Sequence, residues 1–155
     1  MRTIEGQMTL RDAKFCIIAG RFNDRIVEDL IRGAGDALRR HGIGDSAIDL
    51  VRVPGAFELP LAARRLSRTR QYDALVALGV VIRGATPHFD YVCGECAAGL
   101  SRVSLEFELP VGFGVLTCDT VDQAVERAGV KHGNKGADAA LAAMEMVSLL
   151  RQIAS

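Results

Sequence analysis

Neither sign of charge is in surplus: 19 Lys and Arg stand against 19 Asp and Glu, for a formal net charge of +0. A general nucleic-acid binder carries a basic excess or stripe, so no nucleic-acid partner is expected. No apolar run approaches the roughly 20 residues of a bilayer span, so no membrane partner is expected either. The first ten residues, Met1-Arg-Thr-Ile-Glu-Gly-Gln-Met-Thr-Leu10, lack the long apolar core of a secretory signal. The expected address is the cytoplasm, where the four cysteines stay reduced. Low-complexity tracts and linkers rich in Pro, Gly or Ser are missing as well. No G-x-G-x-x-G follows a strand, and Gly129 to Lys135 misses the spacing of a phosphate-binding P-loop, so neither a dinucleotide nor an ATP site is indicated.

What the sequence does contain is one domain's worth of alternating elements. A chain of 155 residues can bury roughly two-thirds of its unfolded surface, enough to fold without a disulfide or metal staple. Short apolar runs at Lys14–Gly20, Ala47–Val53, Ala74–Ile82 and Val111–Leu116 are each followed by a segment of helical periodicity. Phe15-Cys-Ile-Ile-Ala19 and Ala74-Leu-Val-Ala-Leu-Gly-Val-Val-Ile82 are apolar almost throughout, which is how a strand covered on both faces reads. Val27, Leu30, Ile31, Ala34 and Leu38 mark the apolar stripe of a helix over Asp24–His41. A last helix, about Ala137–Ala154, carries Ala140, Met144, Val147 and Leu150 on one face. Crossovers of this length imply parallel strands with right-handed connections. The expected fold is therefore α/β: a three-layer α/β/α sandwich, flavodoxin-like, with a doubly wound parallel sheet of four core strands. The domain spans 13–155 and is preceded by an arm over 1–12. Residues Met1–Leu10 have no helical stripe; a loose terminus and a strand added to a partner's sheet both remain open.

In such sheets ligands bind beyond the carboxyl ends of the strands, and those ends hold the least ordinary residues. They are Gly20-Arg-Phe-Asn23, Val53-Pro-Gly-Ala-Phe-Glu58, Arg83-Gly-Ala-Thr-Pro-His88 and Thr117-Cys-Asp119. Gly84-Ala-Thr86 stands where a helix starts, so free N–H groups and the helix dipole favour an anion there; a plain turn with Thr86 as N-cap fits equally. His88 can move a proton near neutral pH, although a lone His is more often structural or merely exposed. Phe22 reads as a platform for a planar ring, and Phe57 rather as a plug over the core. Glu58 can accept bonds from sugar-like hydroxyls, or simply favour a helix N-terminus. Thr120-Val-Asp-Gln123 fits a capping box opening a short helix that ends near Arg127. Lys131-His-Gly-Asn-Lys-Gly136 is a cationic loop that, with Arg127 and Lys135, could hold a phosphate; a solvated loop is the plainer reading. Cys93-Gly-Glu-Cys96 lies more than a turn into a predicted helix, with no second C-x-x-C or His pair to complete a zinc set, so it reads as core cysteines rather than a metal or redox centre.

Gly20-Arg-Phe-Asn23, Val53-Pro-Gly-Ala-Phe-Glu-Leu-Pro60, Gly79-Val-Val-Ile-Arg-Gly-Ala-Thr-Pro-His88 and Glu126-Arg-Ala-Gly129 with Gly133-Asn-Lys-Gly136 occur in order. Together they resemble the lumazine synthases from about Phe15 to Leu150. The resemblance implies condensation of 5-amino-6-(D-ribitylamino)uracil with 3,4-dihydroxy-2-butanone 4-phosphate to 6,7-dimethyl-8-ribityllumazine, the penultimate step of riboflavin biosynthesis. No metal or other cofactor is implied. Phe22 would stack on the pyrimidinedione, and Ala56, Phe57 and Glu58 would line the ribityl and ring pocket, bordered by Val80, Val81 and Ile82. Ala85 and Thr86 would bind the phosphate. His88 would transfer protons, Arg127 would grip phosphate with Lys135 close by, and Phe113 would close the pocket from a neighbouring subunit. The resemblance also implies homopentamers with active sites between subunits, which in some members close into a 60-subunit icosahedral shell enclosing riboflavin synthase. The short Lys131–Gly136 loop lacks the insertion of members that stop at pentamers and so favours the shell. The chain departs from the pattern at Gly20, where relatives carry Ser or Ala, and at Cys96. A competing reading is a non-catalytic shell protein that binds riboflavin or a lumazine.

Overall fold

The computed structural model describes residues 1–153, so the predicted helix end at Ala154 falls outside the described residues. Four strands form the sheet: β1 (Phe15–Gly20), β2 (Ile48–Val53), β3 (Ala74–Ile82) and β4 (Val111–Cys118). All pairings are parallel, in the order β2-β1-β3-β4. This order follows from composition. The two all-apolar runs, β1 and β3, occupy the centre and are buried along their lengths, apart from the half-buried Val81 and Ile82. The strands with alternating exposure, β2 and β4, take the edges, where only part of each needs apolar cover.

Helices cover both faces. On one side α1 (Asp24–Arg40) packs with α5 (Lys135–Ile153); on the other α2 (Leu59–Thr69) packs with α3 (His88–Phe107), and a short α4 (Val121–Glu126) follows β4. Two apolar cores result. One joins Val27, Leu30, Ala34 and Leu38 of α1 to Ala140, Ala143, Met144 and Val147 of α5 across Ile17, Val76 and Leu78. The other joins Leu59 and Ala63 of α2 to Cys96, Leu100 and Val103 of α3 across Ile18, Leu75 and Ala77. This is the three-layer α/β/α, flavodoxin-like arrangement. Among the described residues, no helix is long and apolar enough to cross a membrane.

The boundaries differ from the sequence reading in two places that matter. Strand β4 runs on to Cys118, because Thr117 faces out while Cys118 packs into the core. Helix α3 begins at His88 with Pro87 at the N-cap and no side-chain cap, so Thr86 stands one residue too early to be that cap. Residues Met1–Leu10 form no strand or helix within the chain. They lie along α5, where Gln7 donates its backbone N–H to Ser148 Oγ (2.9 Å), Gln152 Nε2 donates to the Glu5 carbonyl (2.7 Å), and Leu10 is buried.

Candidate active site

Because all strands point the same way, the residues after Gly20, Val53, Ile82 and Cys118 share one edge of the sheet. From β1 the chain leaves through α1 on one face, and from β3 through α3 on the other. The crevice between those departures is where such folds place ligands.

Backbone and side-chain bonds fix the β1 side of the crevice. The N–H groups of Arg21 and Phe22 both donate to the Pro54 carbonyl (3.1 and 3.2 Å), tying the loop after β1 to the loop after β2. Asn23 adopts a left-handed conformation (φ 61°), which Asn tolerates better than most residues. From there its Nδ2 donates to the Val80 carbonyl at 3.0 Å, bridging β1's exit to β3. Phe22, held between these ties, is 71 % exposed, so its ring faces solvent rather than the core. A Cβ on Gly55 would come within 2.6 Å of that ring and 3.5 Å of Glu58 Oε2. The glycine thus lets aromatic and carboxylate lie beside one backbone surface. Gly20 sits close under the same surface, where a Cβ would stand 3.2 Å from the Gly55 carbonyl carbon.

The predicted residues occupy distinct positions around this crevice. Ala56, Phe57 and Glu58 form a single 3-10 turn before α2, with Ala56 buried, Glu58 half-buried and Phe57 58 % exposed. Phe57 is therefore not a plug over the core. Val80 is buried, and Val81 and Ile82 half-buried, at the end of β3. Ala85 and Thr86 are exposed in the loop that leads to His88, which is exposed in the first turn of the 20-residue α3. Free N–H groups at that helix start can receive an anion.

Arg127 and Lys135 lie at opposite ends of a tight hairpin. Ala128 and Asn134 pair as a β-bridge, Lys135 N–H donates to the Arg127 carbonyl (2.9 Å), and Gly129 N–H donates to the Gly133 carbonyl (2.7 Å). Gly129 and Gly133 both take positive φ (110° and 69°), which a residue with a Cβ adopts only at a cost. Arg127 is half-buried and gives one guanidinium N–H to the Gln123 carbonyl (3.0 Å). Lys135 lies 3.5 Å from Asp138. Phe113 stands apart. It is mid-strand on the outer edge of the sheet, level with Ala77, and 49 % exposed. Within one chain the sheet does not bring it to the crevice.

Sequence reasoning missed two residues that brace the segments around the candidate site. Asn134 donates to the Asp29 carbonyl (2.9 Å) and accepts from Ala137 N–H (3.0 Å), so it locks the hairpin to α1 and caps α5. Arg83 donates from Nε to Asp119 at 2.8 Å, stands 3.6 Å from Asp90, and lies over the Phe89 ring at 4.4 Å. The hydrogen bond to Asp119, ahead of the nearby Asp90 charge, holds its guanidinium proton still more firmly than usual. The only local signal for these residues was their place in the segments flanking Gly84 and Gly133. Their partners are 36 and 105 residues away in the chain for Asp119 and Asp29.

The C-x-x-C pair lies inside α3, with Cys96 buried and Cys93 half-buried. Burial pushes the Cys96 thiol up to about 11 and raises Cys93 as well, the opposite of an activated thiolate. No group of three or more metal-ligating side chains gathers among the described residues.

An exposed aromatic beside a carboxylate and a helix start carrying an imidazole therefore share one sheet edge, and a hairpin carrying Arg127 and Lys135 is locked to α1. The family model described as 6,7-dimethyl-8-ribityllumazine synthase matches residues 12–151 of the 155, and the chain belongs to that family, an enzyme family of riboflavin biosynthesis.

Proposed function

We propose that the protein condenses 5-amino-6-(D-ribitylamino)uracil with 3,4-dihydroxy-2-butanone 4-phosphate to 6,7-dimethyl-8-ribityllumazine. The observation that carries this reading is the Phe22–Gly55–Glu58 surface: an exposed ring beside a carboxylate, braced by bonds to Pro54 and Val80. A flat heteroaromatic bearing a polyol side chain suits that pair, since the ring offers a stacking face and the carboxylate accepts hydroxyl bonds. Ala56, Phe57, Val80, Val81 and Ile82 line the same pocket.

In this reading the ring amine adds to the ketone and water leaves to give an imine. Phosphate is then eliminated and the second amine closes the ring with loss of another water. His88 moves the protons, a role worth about 10²–10⁴-fold. Ala85 and Thr86, at the start of α3, and Arg127 with Lys135 hold the phosphate as it departs. Orienting both reactants is the larger contribution, up to roughly 7–11 kcal/mol of barrier. Phe113, remote from the crevice of its own chain, closes the crevice of a neighbouring subunit. The working unit is accordingly an assembly, read as a cytoplasmic homopentamer and its 60-subunit icosahedral shell, with riboflavin synthase as the cargo.

The test mixes the purified protein with both substrates and follows lumazine fluorescence beside a His88→Ala variant. Rapid product formation that falls about 10²–10⁴-fold in the variant is expected. Folded protein that binds the pyrimidinedione yet gives no product above background would instead be a non-catalytic lumazine- or riboflavin-binding shell protein.

A further inference from the structure

We propose that Arg83 is a positioning residue whose guanidinium, anchored on Asp119 and stacked on Phe89, holds the loop 84–87 in the shape that receives a substrate phosphate. The inference rests on the anion-binding role given to that loop above, and it adds the device that shapes it.

The loop is short of anchors of its own. Gly84, Ala85 and Thr86 are exposed, and among the described residues they make no side-chain hydrogen bond. At its start, Arg83 N–H donates to the Cys118 carbonyl (2.9 Å); at its end, Asp90 N–H donates to the Pro87 carbonyl (3.0 Å). Between those points, among the described residues, the cross-brace is the Arg83 side chain. Its Nε meets Asp119 Oδ1 at 2.8 Å, just beyond β4. Its Nη1 stands 3.6 Å from Asp90 Oδ1 in the first turn of α3. Its plane lies over the ring of Phe89, which is itself buried. One side chain therefore spans both ends of the loop, next to His88.

Stability is a poor explanation for this arrangement. The Arg83 and Asp119 side chains are 48 % and 64 % exposed, and ion pairs that open to solvent contribute little to folding. Such a brace controls geometry more than stability, and a planar fork suits it because one ammonium cannot bond in-plane and stack at once. Asp119 is itself held, receiving its place from the bond of its N–H to Gln123 Oε1 (2.8 Å).

The experiment compares wild type, Arg83→Ala, Arg83→Lys and Asp119→Asn as intact chains, reading steady-state kinetics, inorganic phosphate binding by calorimetry, and melting temperature. We expect the KM for the butanone phosphate and the phosphate Kd to rise roughly 10- to 100-fold in both Arg83 variants, the scale of a small misplacement in a site. The KM for the pyrimidinedione should stay where it is. Asp119→Asn keeps an acceptor while losing the charge, so an intermediate effect is expected. It also decides the matter if Arg83→Ala fails to fold. Unchanged phosphate affinity in folded variants overturns the proposal, as does an equal rise in both KM values. If wild type makes no lumazine, the synthase reading fails while the phosphate titration still tests the brace. If wild type is active and the variants match it, only the brace fails.

Discussion

Gly55 is the residue on which the aromatic platform depends. Its backbone is extended, so any side chain could adopt the conformation, but an added Cβ would press on the Phe22 ring at 2.6 Å. Gly55→Ala should therefore weaken pyrimidinedione binding while changing stability little, because the exposed Phe22 ring can swing away from the new Cβ. A fluorescence titration beside a urea melt separates the two effects, and undiminished binding would remove Phe22 from the site. At this scale the sequence was readable where a residue broke its local pattern. Phe22, Glu58 and His88 come in the segments that follow apolar strands, beyond the carboxyl edge of the sheet. Residues whose work depends on distant partners were not readable: Arg83 needs Asp119, and Asn134 needs the Asp29 carbonyl. Neither partnership has a periodicity or spacing that a single sequence displays.

Among the elements, α4 is the one whose formation rests most on a cap. Six residues give too few helical bonds for independent stability, and only Ala124 among them is buried. Thr120 Oγ1 accepts from Gln123 N–H (3.2 Å), while the Gln123 side chain reaches the N–H of Asp119 rather than that of Thr120. Thr120→Ala should cost about 1 kcal/mol, the usual loss for such a cap, with Thr120→Ser restoring most of it. Chemical denaturation checks this, and an unchanged midpoint would mean that α4 is held by its neighbours. The strands and long helices could be placed from sequence because burial imposes a pattern: β1 and β3 are apolar along their whole length, and α1 carries a stripe. The ends were less legible. Thr117 and Cys118 alternate exposed and buried as a strand should, yet two residues are too few to distinguish a strand's end from a loop. Thr86 was a plausible cap until Pro87 took that position.

At the scale of the molecule, an apolar surface runs along α3, β4 and α5. Leu105 is 79 % exposed, and Phe113, Met146 and Ile153 are exposed beside it. Cavities of about 340 and 590 Å³ open along this face. Exposed apolar area of this kind marks an interaction surface, which agrees with a family that assembles. Leu105→Glu should therefore shift the protein to smaller species in analytical ultracentrifugation and reduce lumazine formation with them. A variant that sediments like wild type would exclude this face from the assembly. The pairing of α1 with α5 has a different consequence, in the order of synthesis. The stripe of Val27, Leu30, Ala34 and Leu38 is made well before its partner on α5, Gly136 through Val147. Strands β1 and β3 can cover part of that stripe earlier, but the part that packs on α5 stays bare until α5 is made. Exposed apolar surface of that kind favours clumping, so the nascent protein is vulnerable along the stripe until α5 emerges.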